Sequence, residues 1–473
     1  MFLADGVPRP NWPEHPFRAG DVRGYFEGHS TPLQIAADLR RKDVHPPLYF
    51  WTAAAWRAVV GPGLFRLRLL SVGFGLVALL AVAGIARLAG VPPVAAMLLT
   101  MSCYGFSYTA MLARGFALAQ ALSLAGVLLV LLAARRERVL PALGGGLLLG
   151  LATFTNYLAV FVAAAALLWL LVARWGRPRL WVVAGLAFAV ALPADLFFFV
   201  AQRDSRVGQF PPFHLLPSLA RLAQYAAADI FGGLPLYVPG LARPVVGGGL
   251  ALLLVGLCGL IVWRWRQIGH PEGRALLGLA ALAPPAGLLA LGAAFNNTPI
   301  ELRYLAFAMP FFALLLAGAL AGLVPARRGA LVGVVFALQA AALAGLAFMP
   351  ETMQPQAATA REAAALAGPD GLVIVPRGDD GVGLVGAMVQ SAPDWLRLLA
   401  IPRGEAPAAI RARSGSSPRV VLAMLGIDGA SRATLPAMES AFRDDPCWRA
   451  AGGGRDILAF HRVPGCGGAA RLN

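Results

Sequence analysis

Long apolar runs, separated by short polar or basic breaks, organise most of the chain. They recur at about 67–88, 93–112, 115–134, 140–155, 157–173, 180–200, 245–263, 275–295, 303–324 and 329–348. Most approach the roughly 18–20 residues that a helix needs to cross hydrocarbon. The pattern predicts an all-α polytopic membrane domain of about ten transmembrane helices. Pro284 and Pro285 fall in mid-run, which a membrane helix tolerates when its neighbours satisfy the freed carbonyls.

The flanks read differently and divide the chain into three regions: a polar, proline-rich head (1–66), the membrane domain (67–348) and a soluble tail (349–473). In the tail, helix-like "AATAREAAALAG" (357–368) precedes strand-like "GLVIVP" (371–376), and "RVVLAML" (419–425) and "DILAFH" (456–461) read as further buried strands. Such alternation predicts a small α/β domain. The glycine-rich "RGDDGVGLVG" (377–386) has neither the dinucleotide nor the P-loop spacing and reads as a plain loop. Within the membrane domain, the connection at about 202–244 repeats apolar residues at helical spacing beside Arg221 and Gln224, which predicts a helix lying in the interface plane. A second short amphipathic helix is expected from about Pro47 to Val60, because paired prolines suit a first helical turn and Trp51 and Trp56 suit the aromatic belt.

Composition agrees with this picture: 58% of residues are hydrophobic and 14% charged. The net charge of +16 would fit a nucleic-acid binder, but its placement argues against one. If the head lies outside, alternation of spans puts Arg87, the 135–138 cluster, Arg174, Arg177, Arg179, Arg264, Arg266, Arg274, Arg327 and Arg328 inside, twelve arginines against Glu137 and Glu272. That is the charge bias of cytoplasmic loops in a multi-pass membrane protein, and no nucleic-acid partner is expected. Lys42 is the only lysine, a preference attributed to genome composition. Cys103 and Cys258 fall in apolar runs as small hydrophobes. Cys447 and Cys466 lie in the tail, which the alternation places outside, where a disulfide is permitted and its geometry left open. Residues 1–30 contain no apolar core of a signal peptide, so either a later span sets the topology or the true start lies upstream.

Polar groups at membrane depth are costly and therefore candidates for function. Arg114, in "YTAMLARGFALAQ", and Arg303, in "NNTPIELRYLAFAMP", both sit at the outer interface against the charge rule. Two readings stand: two-point capture of a phosphate and snorkelling to ordinary headgroups. Asp195 lies near the outer end of its run as a site member, a cap or an arginine partner, and Asn156 with Tyr157 is either a further substrate-binding pair or an outer turn that needs polar residues in any case. In "DVHPPLYFW", Asp43 and His45 stand at the water–lipid boundary, ahead of the Pro46–Pro47 elbow.

"DVHPPLYFW", then "LFRLRLLSVGFGLVALLAV", an outer-face "AR" followed by an aromatic, and "RYLAFAMPFFALLLAG" together resemble the bacterial membrane glycosyltransferases related to protein O-mannosyltransferases, family 39 of the type-C fold, which include lipid A aminoarabinose transferases. The resemblance covers about 40–330. It implies an inverting enzyme that moves a sugar from a polyprenyl-phosphate-linked donor to an extracytoplasmic acceptor (protein, lipid or glycan), with membrane lipids as the other partners. It implies substrate-binding roles for Arg114, Arg303 and Tyr304, with His45 and Asp43 shaping the outer cavity as weak catalytic candidates. No cofactor is read, and a divalent metal stays open.

Relatives begin with a span followed by an acidic pair that supplies the base; this sequence has neither, Asp5 having no acidic neighbour. Leu112 stands where relatives often have Glu, and Asn156 where they have His. A start upstream of Met1 is therefore expected, and a catalytically silent relative or a non-enzymatic assembly protein is the alternative. A transporter fits less well, because the runs carry few polar residues at mid-depth and no internal repeat.

Overall fold

A computed structural model describes residues 12–26, 28, 30–203, 210–352, 355–378, 383–454 and 456–466. Asp5 and residues 379–382 of the glycine-rich stretch lie outside the described residues; Gly378 and the Gly383–Ser391 helix flank the latter. The chain forms two compact units, Thr31–Met349 and a second made of Met1–Ser30 with Pro350–Asn473.

Helix occupies every one of the apolar stretches of the first unit. Five helices are long and apolar enough to cross a membrane: Leu64–Ala89, Phe116–Arg136, Ala242–Trp263, Pro271–Phe295 and Pro325–Phe348. Two further pairs pass the same test together, Pro93–Ser102 with Tyr104–Met111, bent by 68°, and Pro178–Ala189 with Leu192–Gln202, bent by 42°, giving up to seven spans by length and composition. Val139–Thr153, Tyr157–Ala173 and Met309–Ala321 are shorter apolar helices. This is a multi-pass membrane protein. Pro284 and Pro285 lie inside an unbroken helix, whereas the 303–324 run is broken: Leu302–Leu305 forms one turn before Met309 restarts the helix with Pro310 in its first turn.

Small residues let the helices approach closely. A side chain at Gly126 or Gly145 would press on Leu149 or Val130 across the junction of the Phe116–Arg136 and Val139–Thr153 helices. The basic loops gather at one end. Arg174 donates two bonds to Glu272, at 2.8 and 2.9 Å, and its Nε donates to the Ala134 carbonyl at 2.9 Å. Arg177 pairs with Glu137 at 2.9 Å, and the His270 amide donates to the Ala89 carbonyl at 2.8 Å. The loops that alternation assigned to one side are thus neighbours in space.

Leu48–Val60 is helical, as the paired prolines predict, and buries Tyr49, Ala53 and Arg57. The helix expected in the 202–244 connection is Leu215–Phe231, preceding a 3-10 turn at Leu234–Tyr237.

The second unit is the small α/β domain. Its strands are β1 (Phe17–Arg18), β2 (Leu372–Pro376), β3 (Arg397–Ile401), β4 (Arg419–Ala423), β5 (Trp448–Gly454) and β6 (Ile457–Arg462), in the order β1-β3-β2-β4-β6-β5. β2 runs parallel to β3 and β4; the other pairings are antiparallel. One face packs on Ala360, Leu384 and Met388, the other on Ile410, Met438 and Phe442. Cys447 and Cys466 are disulfide-bonded with α-carbons 5.4 Å apart.

The division differs from the three regions read from sequence. Phe17 pairs with Leu398 at the sheet edge, and Trp12, Phe17, Val22 and Phe26 are buried in the core of the α/β unit. The early head residues therefore belong with the tail, and Thr31, capping the Pro32–Lys42 helix with Gln34, opens the membrane unit.

Candidate functional site

The end of the membrane unit opposite the basic loops holds the predicted polar residues, and its framework starts at the His-Pro-Pro elbow. Pro46 and Pro47 are buried and fix the backbone between two helices, since proline restricts both its own φ and the residue before it. His45 Nδ1 lies 2.7 Å from Asp43 Oδ1, which also accepts from the Val44 amide at 2.7 Å. From the other side, Gln202 Nε2 donates to the His45 carbonyl at 3.1 Å and to the Leu39 carbonyl at 2.9 Å. Gln202 Oε1 accepts from the Tyr157 hydroxyl at 2.8 Å. The elbow is thus held through both side chain and backbone, and it draws His45, Asp43 and Tyr157 into one network.

Arg114 enters through the first turn after the elbow. A side chain at the next residue, Gly115, would press on the Tyr49 β-carbon and the Thr155 carbonyl, so the loop carrying Arg114 lies directly on the Leu48–Val60 helix and the 155–157 turn. Burial pushes the Tyr49 phenol up to about 12, against the opposing pulls of its Ser71 partner and of the nearby Arg114 guanidinium.

Arg303 joins through aromatic contacts. The ring of Phe116, two residues beyond Arg114, stacks on that of Tyr304 with centroids 6.3 Å apart. The Arg303 guanidinium lies over the Tyr304 ring at 5.3 Å and is within electrostatic reach of Tyr108. Its Nη2 pairs with Glu301 at 2.5 Å, and its Nε is buried with no hydrogen-bond partner among the described residues. A continuous run of contacts therefore leads from His45 through Tyr49, Gly115 and Phe116 to Tyr304 and Arg303.

Two predicted residues take quieter places. Asn156 accepts from the Leu158 amide at 3.1 Å, which caps the turn. Asp195 is buried and accepts from Thr153 Oγ1 at 2.6 Å, within electrostatic reach of Tyr157. Among the described residues, no three His, Cys, Asp or Glu side chains are grouped so as to hold a metal ion.

Sequence reasoning missed Gln202, Glu301 and Asp229. Glu301 stood two residues before Arg303 in the quoted motif. Gln202, at the end of an apolar run, was visible only as a polar terminus. Asp229 interrupts the apolar side of the Leu215–Phe231 helix, a placement that helical periodicity could have exposed.

Residues 44–197 match the family model described as dolichyl-phosphate-mannose-protein mannosyltransferase. The fold is similar to the crystal structure of ArnT from Cupriavidus metallidurans bound to undecaprenyl phosphate, at 14% identity and a TM-score of 0.50, with 90% of this chain and 89% of that chain covered. It is also similar to the same protein's apo structure, at 13% identity and a TM-score of 0.53, covering 99% and 94%. No curated protein sequence matches the chain. The fold is that of the type-C glycosyltransferases. The resemblance read from the sequence is met in both comparisons; the family model starts at Val44 and takes in the His-Pro-Pro elbow, and Arg303 and Tyr304 lie beyond its end.

Proposed function

We propose that the protein is an inverting membrane glycosyltransferase that takes a sugar from a polyprenyl-phosphate-linked donor and passes it to an acceptor outside the cytoplasmic membrane. The observation that carries this reading is the stacking of Phe116, two residues beyond Arg114, on Tyr304 beneath the Arg303 guanidinium, whose Nε is buried with no hydrogen-bond partner among the described residues. Guanidiniums held in a partly dry site grip a phosphate in two-point fashion and stabilise the charge that develops on it as the sugar leaves. Glu301 keeps Arg303 paired until an anion replaces it. Inversion follows from a single displacement, in which the acceptor oxygen attacks the anomeric carbon opposite the departing phosphate. The disulfide of the α/β unit supports an extracytoplasmic position for that unit, because such bonds persist in oxidising compartments.

Undecaprenyl phosphate is the probe. Purified protein should bind it, and Arg303→Ala and Arg114→Ala should each weaken binding by about 10–100-fold, the value of a lost charge-assisted bond of roughly 1.5–3 kcal/mol. Unchanged affinity in both variants would remove the arginines from the site, and no binding by the native protein would remove the donor class.

A further inference from the structure

We propose that the end of the membrane unit where the basic loops gather holds a site for one anionic glycerophospholipid, with an acyl chain in an apolar cavity and the headgroup phosphate on Arg328 and Arg264. The cavity encloses about 200 Å³ among the Pro93–Ser102, Met309–Ala321 and Pro325–Phe348 helices. Pro92, Leu99, Leu320, Val332 and Phe336 give it a hydrocarbon wall, and Arg328 stands in the same wall. Leu99 and Leu320 are buried, whereas Pro92, Ala321 and Arg328 are exposed, so the cavity opens outward at the arginine. Apolar sides with a cation at the mouth fit a ligand that carries a hydrocarbon chain and a negative charge together, which in a bilayer is a lipid anion.

A second cation reaches the same rim. Gly322 follows Ala321, which also borders the cavity, and a side chain at Gly322 would meet the Arg264 guanidinium at 3.5 Å and Gln267 Oε1 at 3.0 Å. Arg264 is braced there: its guanidinium lies over the Trp263 ring at 4.4 Å and donates to Gln267 Oε1. Its Nε is buried with no hydrogen-bond partner among the described residues. The Pro325–Phe348 helix begins three residues before Arg328, so its positive end adds to the field of Arg327 and Arg328. These elements supply no counter-charge of their own. Segments 90–112, 261–270 and 317–349 contain no Asp or Glu, and Glu272, the next acid along the chain from Arg264, is held by Arg174 at 2.8 Å. Basic pockets between membrane helices bind phosphate headgroups, and guanidiniums grip them in two-point fashion. The site is distinct from the one assigned to the donor, because the Met309–Ala321 helix separates them: Arg303 precedes its first turn and Gly322 follows its last. A lipid bound here ties the first half of the broken span to the two helices that follow Arg303, and stabilises the membrane unit by mass action.

The test uses the full-length protein, purified in a non-ionic detergent and stripped of lipid. Phosphatidylglycerol is the probe, phosphatidylcholine with the same chains is the zwitterionic control, and glycerol phosphate supplies the headgroup without chains. Native mass spectrometry should show about one phosphatidylglycerol retained per chain, bound about 5-fold or more tighter than phosphatidylcholine. The midpoint of thermal unfolding should rise with phosphatidylglycerol and not with glycerol phosphate. Arg328→Ala and Arg328→Gln should each weaken phosphatidylglycerol by about 5-fold or more and leave phosphatidylcholine within about 2-fold. Ala321→Phe, which fills the mouth and keeps both arginines, should weaken both lipids. Arg179→Ala removes an exposed charge of the basic loops that lies outside the cavity and should change neither. All of these positions are exposed, and circular dichroism matching the native protein shows that each variant is folded. Equal affinity for the two lipids, or equal losses in Arg179→Ala and Arg328→Ala, would reduce the site to general lipid contact and overturn the proposal. An equal rise in midpoint with glycerol phosphate would make it an anion site without a chain. A native dimer that Ala321→Phe splits, with no lipid retained, would give the cavity to a second copy of the chain. Undecaprenyl phosphate binding should stay as native in Arg328→Ala; its loss there would make the cavity the donor's and overturn the assignment.

Discussion

The carboxylate of Asp229 lies against the α-carbon of Gly105, so close that any side chain there would overlap Oδ1. Asp229 is fully buried, and neither of its oxygens has a hydrogen-bond partner among the described residues. Gly105 is the second residue of the Tyr104–Met111 helix, just past the 68° bend at Cys103. The helix carrying Asp229 thus crosses the broken span at a point where only glycine admits it.

Gly105→Ala should therefore destabilise the protein although alanine is the better helix former. Overpacking a filled site costs about 1–3 kcal/mol, which outweighs the gain of roughly 1 kcal/mol in helix propensity. A lower midpoint of thermal unfolding in detergent would show it; an unchanged or raised midpoint would mean that the Leu215–Phe231 helix is free to move aside.

Burial pushes the Asp229 carboxyl well above the usual carboxylate range. The sign follows from linkage: the folded state keeps a proton that the unfolded chain releases above about pH 4, so stability falls as pH rises from there toward the folded value. Each pH unit in that window weakens the native protein by about 1.4 kcal/mol. Asp229→Asn removes the effect. Melting curves should bring the variant and the native protein close together near pH 4 and separate them in favour of the variant at neutral pH; parallel pH profiles would show that Asp229 is ionised in both states.

Gln202 joins three partners, the Leu39 and His45 carbonyls and the Tyr157 hydroxyl. Tyr157→Phe removes one neutral bond and should cost about 0.5–1.5 kcal/mol of stability. Gln202→Ala leaves two backbone carbonyls and a hydroxyl without their partner and should cost more than Tyr157→Phe, with a further loss of turnover because the His45 elbow is no longer anchored. If the two variants prove equal in stability, the Gln202 bonds to the elbow contribute nothing.

How far these relations could be read in advance depended on the kind of signal each residue leaves. The apolar runs and the α/β tail were legible because burial imposes a period on the sequence, 3.6 for the Leu215–Phe231 helix and an unbroken apolar run for β2 and β4. Arg114 and Arg303 stood out because each opposes the charge bias of its side. Phe17 gave no such signal: two residues in a proline-rich stretch carry no period, and their pairing with β3 is fixed by residues some 380 positions away. The Glu301–Arg303 pair needed only attention to the motif already quoted, whereas the Asp229–Gly105 contact depends on a helix crossing that no local pattern encodes.

The Cys447–Cys466 bond closes the segment that carries β5 and β6, the two strands completing one side of the sheet. β5 is exposed along most of its length, so burial does little to hold it in place. The cross-link limits the freedom of this hairpin in the unfolded chain, and a loop of this size is worth about 3 kcal/mol in the chain-entropy account. Reduction, or Cys447→Ser with Cys466→Ser, should therefore lower the unfolding midpoint of the α/β unit. The membrane unit, which contains only the free Cys103 and Cys258, should be indifferent to the same treatment. Separate reporters make the comparison direct: hydrogen exchange of the β2, β3 and β4 amides for the α/β unit and helical circular dichroism, dominated by the membrane unit, for the rest. A shift of equal size in both would show that the two units unfold together, and no shift in either would show that the β5–β6 hairpin is held by its ladder alone.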